Sequence, residues 1–101
     1  MFLFDLAEED VRKEKNKAKE LRNSKWWRNK RARGECYYCR RNVGPQNLTM
    51  DHIVPLARGG KSIKVNLVPA CRECNSKKKY LLPMEWEGYL EGLNKSIGKG
   101  S

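Results

Sequence analysis

The sequence predicts a small α+β domain with two short strands and a helix, a helical arm before them and a further helix after them. Two segments, "LTMDHIV" and "NLVPA", are rich in apolar and β-branched residues and flank a loop with consecutive glycines, which is typical of paired strands. Two pairs of cysteines enclose this region. With 101 residues the core is small, so a metal, disulfides or a partner often supplies additional stability.

The first part of the chain predicts a helical arm. Residues 7–33 contain no glycine or proline and are rich in lysine, glutamate, alanine and arginine, and a break is expected near Asn23 and Ser24. Apolar positions are too sparse for a core stripe, so we expect an extended arm. The helix after the second cysteine pair should stop before Pro83, and an amphipathic segment closes the domain. We divide the chain into an arm, a domain and a flexible tail, at 1–33, 34–95 and 96–101.

The charge is strongly positive and unevenly distributed. The net charge is +10, and residues 11–41 contain 13 lysines and arginines against three glutamates. Such a surface attracts polyanions, although a solvated helix face is the alternative. Trp26 and Trp27 are more typical of core or interface anchors than of base-stacking residues. We expect the arm to grip nucleic acid through phosphate contacts that include Arg28, Arg31 and Arg33.

The four cysteines predict a structural zinc site. Cys36 and Cys39 form one C-x2-C pair, and Cys71 and Cys74 form a second pair, separated from the first by 31 residues. Two such pairs can supply four thiolates to one tetrahedral ion and leave no position open for water. Free or disulfide-bonded cysteines are the alternative. No signal peptide or membrane-spanning segment is expected, so we expect a cytoplasmic protein with reduced thiols.

Asp51 and His52 form the candidate catalytic pair. A carboxylate is a hard ligand for Mg²⁺ or Mn²⁺, and an imidazole is a base near neutral pH. Neighbouring side chains of a strand point to opposite faces, so the pair would have to flank one reacting group. Taken alone, an Asp-His step is more often structural than catalytic.

The order of residues after this pair changes that interpretation. The stretch "DHIVPLARGGKSIKVNLVPACRECNSKKK" contains Asp51-His52, Gly59-Gly60, Asn66 and Asn75, the last directly after the second cysteine pair. This order resembles the HNH nuclease family, specifically its small zinc-bound type with a ββα-metal fold. The resemblance covers about residues 36–80.

The resemblance implies a DNA endonuclease that leaves 3′-hydroxyl and 5′-phosphate ends. Asp51 and Asn75 would bind one divalent cation, Mg²⁺ or Mn²⁺, and His52 would activate water. Asn66 would hold the loop between the strands and help to orient His52. The third motif position is asparagine where the family often has histidine, which makes this an HNN variant. We expect more restricted metal use than in the histidine versions, because an amide oxygen is a poor ligand for softer metals.

Three further cations are candidates for phosphate contacts. Lys78 lies three residues after Asn75 and therefore on its side of the helix, and Arg58 and Lys61 flank the glycine pair. Two other interpretations stay open: a zinc module that binds nucleic acid without cutting it, and a nuclease subunit of a phage packaging or restriction machine. The arm is also a plausible homodimer element.

Overall fold

The computed structural model describes the backbone of residues 2–100 and the side chains of residues 8–92. Its helices and strands are α1 (Phe2–Arg22), α2 (Lys25–Arg31), β1 (Leu48–His52), β2 (Leu67–Cys71), α3 (Arg72–Lys78) and α4 (Pro83–Gly100). The predicted α+β class is therefore confirmed. Across the described residues, no helix combines the length and the apolar character that crossing a membrane requires.

The break in the N-terminal arm lies at the predicted position. α1 ends at Arg22 and α2 begins at Lys25. Ser24 is the N-cap of α2, and its hydroxyl accepts a hydrogen bond from the backbone N–H of Trp27. A serine in this position satisfies one of the free N–H groups at a helix start, which explains why the chain restarts a helix here.

The arm is packed against the domain, so the expectation of an extended arm is wrong. Ala18 of α1 and Trp27 of α2 are buried, and so is the acidic side chain of Glu14. Glu14 accepts a hydrogen bond from the backbone N–H of Ser62 in the loop between the strands. The apolar pattern of α1 did not predict this packing, because a small alanine and a polar glutamate make the contact instead of large apolar residues. The division at residues 33 and 34 stays a prediction.

The two strands form an antiparallel pair. Leu48 lies opposite Cys71 at one end, and His52 lies opposite Leu67 at the other. With about 3.4 Å per residue, these two ends are about 14 Å apart. The pair therefore separates the cysteines, at one end, from the histidine at the other.

The core lies between the strand pair, the cysteines and α4. Leu67 and Ala70 are fully buried, and Trp86 of α4 packs with Leu48 and the cysteines. α3 ends at Lys78, four residues earlier than the sequence predicts, because Lys79 has a positive φ of 44°. α4 extends beyond the predicted end of order near Asn94, whereas the side chains from residue 93 onward and Ser101 lie outside the described residues. The flexibility of residues 96–101 stays a prediction.

Candidate active site and metal centre

The four cysteines converge into one cluster. The sulfur atoms of Cys36, Cys39, Cys71 and Cys74 all lie within 4.8 Å of one another. All four are free, and the Sγ atoms of Cys39 and Cys71 are 3.8 Å apart, far longer than the roughly 2.05 Å of a disulfide bond. Sulfurs bound at about 2.3 Å around a tetrahedral ion are separated by about 3.8 Å. The cluster therefore has the size of a tetrahedral thiolate site.

Hydrogen-bond donors contact two of the four sulfurs. The guanidinium of Arg41 donates to the Sγ atoms of Cys39 and Cys71, and the backbone N–H of Cys74 donates to Cys71. Arg41 is held in place by Glu73, 2.7 Å away. Donors around thiolates compensate their negative charge, which suits four cysteines bound to one divalent ion.

Asp51 is buried near the far end of the strand pair. Its Oδ2 atom accepts a hydrogen bond of 2.5 Å from the hydroxyl of Tyr38 and lies 3.2 Å from the ammonium of Lys78. Burial, and then Asp51 itself, raises the pKa of Tyr38 far above its ordinary value, so the phenol stays a hydrogen-bond donor. Among the described residues no donor contacts Oδ1, which leaves this oxygen available to a ligand.

His52 is half-buried at the end of β1. Its Nε2 atom lies 2.9 Å from the hydroxyl of Ser62. Burial lowers the pKa of His52 below 6.5, although the charge of Asp51 opposes this shift. The imidazole is therefore neutral at pH 7, the form in which it can accept a proton.

Asn66 clamps the loop between the strands. Its side-chain oxygen accepts a hydrogen bond from the N–H of Val54, and its side-chain nitrogen donates to the carbonyls of Val54 and Lys61. The backbone carbonyl of Asn66 also accepts from the N–H of Ile53. Asn66 thus holds the chain directly after His52 together with the chain directly before Ser62, without touching the imidazole.

The glycine pair closes the same loop. Gly59 has a positive φ of 90°, and Gly60 approaches the backbone so closely that an added Cβ would lie 1.7 Å from the carbonyl oxygen of Val54. Gly59 is required because other residues rarely adopt this positive φ, and Gly60 is required because there is no room for a side chain. Together they bring the loop back toward His52.

Asn75 lies on α3 beside β1. Its amide nitrogen donates to the hydroxyl of Thr49, which leaves the amide oxygen free to bind a ligand. Asp51, His52 and Asn75 line one pocket of about 330 Å³, together with residues from α1 and from the turn after α3. The structure therefore brings a carboxylate, an imidazole and an amide together. Lys15 of α1 and Lys79 line this pocket as well.

Lys78 does not lie where a phosphate contact requires it. The residue is on the Asn75 side of α3, as its spacing predicts, but that side faces β1 and not solvent. Lys78 is fully buried, and its ammonium is bound by Asp51 and by the backbone carbonyl of His52, 3.0 Å away. The assignment of Lys78 to phosphate binding is therefore corrected to an internal ion pair.

The other cationic candidates differ in their surroundings. Arg58 donates to Glu85 and to the carbonyl of Tyr80, which ties the loop to the start of α4. Lys61 is exposed. Among the arm residues, Arg28 and Arg33 are exposed and Arg31 is half-buried. The roles of these residues at a phosphate stay predictions.

Sequence reasoning missed several side chains around the pocket. Tyr38 lies between Cys36 and Cys39, a segment whose sequence indicates only part of a zinc site. No pattern in the sequence connects Tyr38 with Asp51. Ser62 and Glu14 are 48 residues apart, so only the tertiary structure joins them. Lys15 is one of many lysines in α1, and its position at the pocket depends on how α1 packs.

Comparison with known proteins agrees with this geometry. Among curated proteins, none matches the sequence. A family model described as HNH endonuclease matches residues 36–87, which is just over half of the chain and includes both cysteine pairs, Asp51, His52, Asn66 and Asn75. The chain therefore belongs to the HNH endonuclease family.

Proposed function

We propose that this chain is a metal-dependent endonuclease that hydrolyses DNA phosphodiester bonds, with His52 as the general base. The observation that carries the proposal is the pocket shared by Asp51, His52 and Asn75. The pocket contains an imidazole that is neutral at pH 7 and two side-chain oxygens that can bind a metal ion. These are the groups that metal-assisted hydrolysis requires.

His52 would remove the proton from the attacking water. As the water oxygen bonds to phosphorus, the bond from phosphorus to the 3′-oxygen breaks, and the leaving oxygen takes a proton from solvent. The products are a 5′-phosphate and a 3′-hydroxyl. No second histidine exists in the chain to substitute for His52.

Asp51 and Asn75 would hold the catalytic cation. Each has an oxygen without a protein donor among the described residues, and carboxylate and amide oxygens suit Mg²⁺ or Mn²⁺. Magnesium commonly takes only one or two protein ligands and keeps several waters, so two donors fit it. When bound, the cation would stabilise negative charge on the leaving 3′-oxygen.

The four cysteines would hold a structural zinc ion. The Sγ atoms of Cys39 and Cys71 are 3.8 Å apart, which is about the distance between two sulfurs bound to one tetrahedral zinc ion. The hydrogen bond from Arg41 to Cys39 supports a thiolate at this position. Cys71 is the N-cap of α3, the helix that also carries Asn75. Zinc would therefore fix the helix that presents a ligand of the catalytic cation, and its binding could contribute on the order of 10 kcal/mol to folding.

Lys15 and Lys79 are the best-placed cations for the scissile phosphate. Both are exposed and line the pocket with His52, whereas Lys78 is buried beneath it. Exposed Arg28 and Arg33 could extend the contact along the DNA backbone. A homodimer through α1, a phage packaging or restriction partner and a cytoplasmic location stay predictions. The buried face of α1 is already used by contacts within the chain.

The proposal is tested with purified protein, supercoiled plasmid and Mg²⁺ or Mn²⁺. We expect nicked or linear DNA with the wild type and no cleavage with His52→Ala, while both proteins bind DNA with similar affinity. Binding without cleavage by the wild type under every divalent metal would instead indicate a zinc module that only binds nucleic acid. Cleavage of RNA but not DNA would refute the substrate assignment.

A further inference from the structure

The N-terminal helix reaches the candidate base through two buried residues. Ser62 and Glu14 are only 4% and 6% exposed. The Ser62 hydroxyl lies 2.9 Å from Nε2 of His52 and 2.5 Å from the backbone carbonyl oxygen of Glu14. The Ser62 backbone N–H donates to the carboxylate of Glu14. A chain of hydrogen bonds thus runs from α1 to the imidazole.

The direction of these hydrogen bonds follows from counting protons. A serine hydroxyl has one proton, and a backbone carbonyl oxygen can only accept. The Ser62 proton must therefore point to Glu14, so the same oxygen can only accept from His52. Nε2 of His52 must carry a proton, and in the neutral ring Nδ1 is then the nitrogen with a free lone pair.

The Glu14 side chain fixes the position of this acceptor. Its carboxylate is bound to the Ser62 N–H, and this hydrogen bond lowers the pKa of Glu14, so the group stays ionised. Lys17, one turn away, pairs with the same carboxylate at 3.2 Å. Glu14 lies in the basic half of α1, residues 11–22, which has six lysines and arginines against two glutamates. A buried acid at this position has no evident value for DNA binding, which indicates an internal role.

We propose that Ser62 and Glu14 are positioning residues that hold His52 in the tautomer with Nε2 protonated and Nδ1 available to water. α1 would then be part of the catalytic apparatus and not only a DNA-binding arm. This inference rests on the proposed function, in which His52 is the general base.

The tautomer can be measured without any catalytic activity, because the chain has one histidine and therefore gives one set of imidazole signals. In long-range proton–nitrogen NMR spectra of the full-length zinc-loaded protein without added magnesium, we expect a protonated Nε2 whose proton exchanges slowly with solvent. In Ser62→Ala this slow proton should be lost, and in Ser62→Thr it should be retained. Ser76→Ala, at an exposed serine of α3, is the matched control and should match the wild type.

Kinetics provide the second measurement. We expect kcat for plasmid cleavage to fall about 10- to 100-fold in Ser62→Ala with KM nearly unchanged, since DNA contacts are not altered. Ser62→Thr should restore most of kcat. Glu14→Ala should lower kcat in the same way, and Glu14→Gln should retain it, because an amide oxygen can still accept from the Ser62 N–H. The Glu14 pair tests the inference even if Ser62→Ala does not fold.

The outcomes separate this inference from the proposed function. An unprotonated Nε2 in the wild type, or unchanged imidazole signals in folded Ser62→Ala, would overturn the positioning role even if the nuclease is active. Unchanged kcat in both Ser62→Ala and Glu14→Ala would overturn it as well. A wild type without nuclease activity would refute the proposed function alone, because the NMR result would still report how the ring is held.

Discussion

The buried ion pair between Lys78 and Asp51 offers a sharp test of the structure, because the sequence alone suggests another role for Lys78. A phosphate contact should leave stability unchanged when it is removed and should weaken DNA binding. An internal ion pair should do the reverse. The substitution Lys78→Met removes the charge and keeps a long unbranched side chain.

The expected loss of stability can be worked out from the distances. At 3.2 Å the attraction is about 5 kcal/mol for an effective dielectric constant of about 20, before the cost of desolvation. Removing one partner of a buried pair typically costs 3–5 kcal/mol, because the other charge is left uncompensated. Tyr38 still donates to Asp51 and limits the loss. We therefore expect Lys78→Met to lower the free energy of unfolding by about 3 kcal/mol.

Urea unfolding followed by tryptophan fluorescence measures this loss. With a denaturant slope of about 2 kcal/mol per molar, the midpoint should fall by about 1.5 M. The matched control is Lys77→Met on the same helix. Lys77 pairs with Glu73 in solvent, with about half of each side chain exposed, so its loss should cost less than about 0.5 kcal/mol.

A double-mutant cycle isolates the pair itself. Asp51→Asn combined with Lys78→Met should be less destabilised than the sum of the single variants by at least about 1.5 kcal/mol. The reasoning is refuted if Lys78→Met lies within about 1 kcal/mol of Lys77→Met. It is equally refuted if Lys78→Met leaves stability intact and reduces the salt dependence of DNA binding by about one phosphate contact.

Three further outcomes follow from the metal centres and the loop. Chelation of zinc should unfold the chain, since its contribution on the order of 10 kcal/mol is comparable to the whole stability of a small domain, and circular dichroism with metal analysis checks this. Gly60→Ala should lower the free energy of unfolding by about 3 kcal/mol or more, because the new Cβ would collide with the Val54 carbonyl, and thermal unfolding measures this loss. The control Gly88→Ala, where the new Cβ would meet open space on α4, should be neutral or stabilising. Asn75→His should extend cleavage to softer metals such as Ni²⁺, and unchanged metal preference would contradict the assigned ligand.

Local patterns predicted the parts of the fold that depend on local chemistry. Ser24 restarts a helix because its hydroxyl caps α2, and the cysteine spacing brings four sulfurs together because each pair forms a short turn. Asn66 was expected to hold the loop and to orient His52, and the structure agrees on the loop. The effect on His52 stays a prediction, and it would have to pass through the backbone, because Asn66 contacts Val54 and Lys61 and not the imidazole.

The missed features depend on which face of a helix meets the domain. Helical spacing correctly placed Lys78 on the side of Asn75, but spacing does not reveal whether that side faces solvent or a strand. The buried acid of α1 was missed for the same reason. Glu14 looks like one exposed charge among many until the loop carrying Ser62 is folded against it. Both errors concern polar residues, for which hydrophobic periodicity gives no information about burial.

The two proposed metal sites are connected through one short helix, and this connection explains the placement of the buried charges. α3 is capped by Cys71 of the cysteine cluster and carries Asn75 in its middle. It ends at Lys78, which is paired with Asp51. Each of its turns is therefore fixed by a polar contact, in a helix of seven residues that could not be stable alone. Loss of the first contact should disturb the last, so zinc removal should affect Asp51 as well as Asn75.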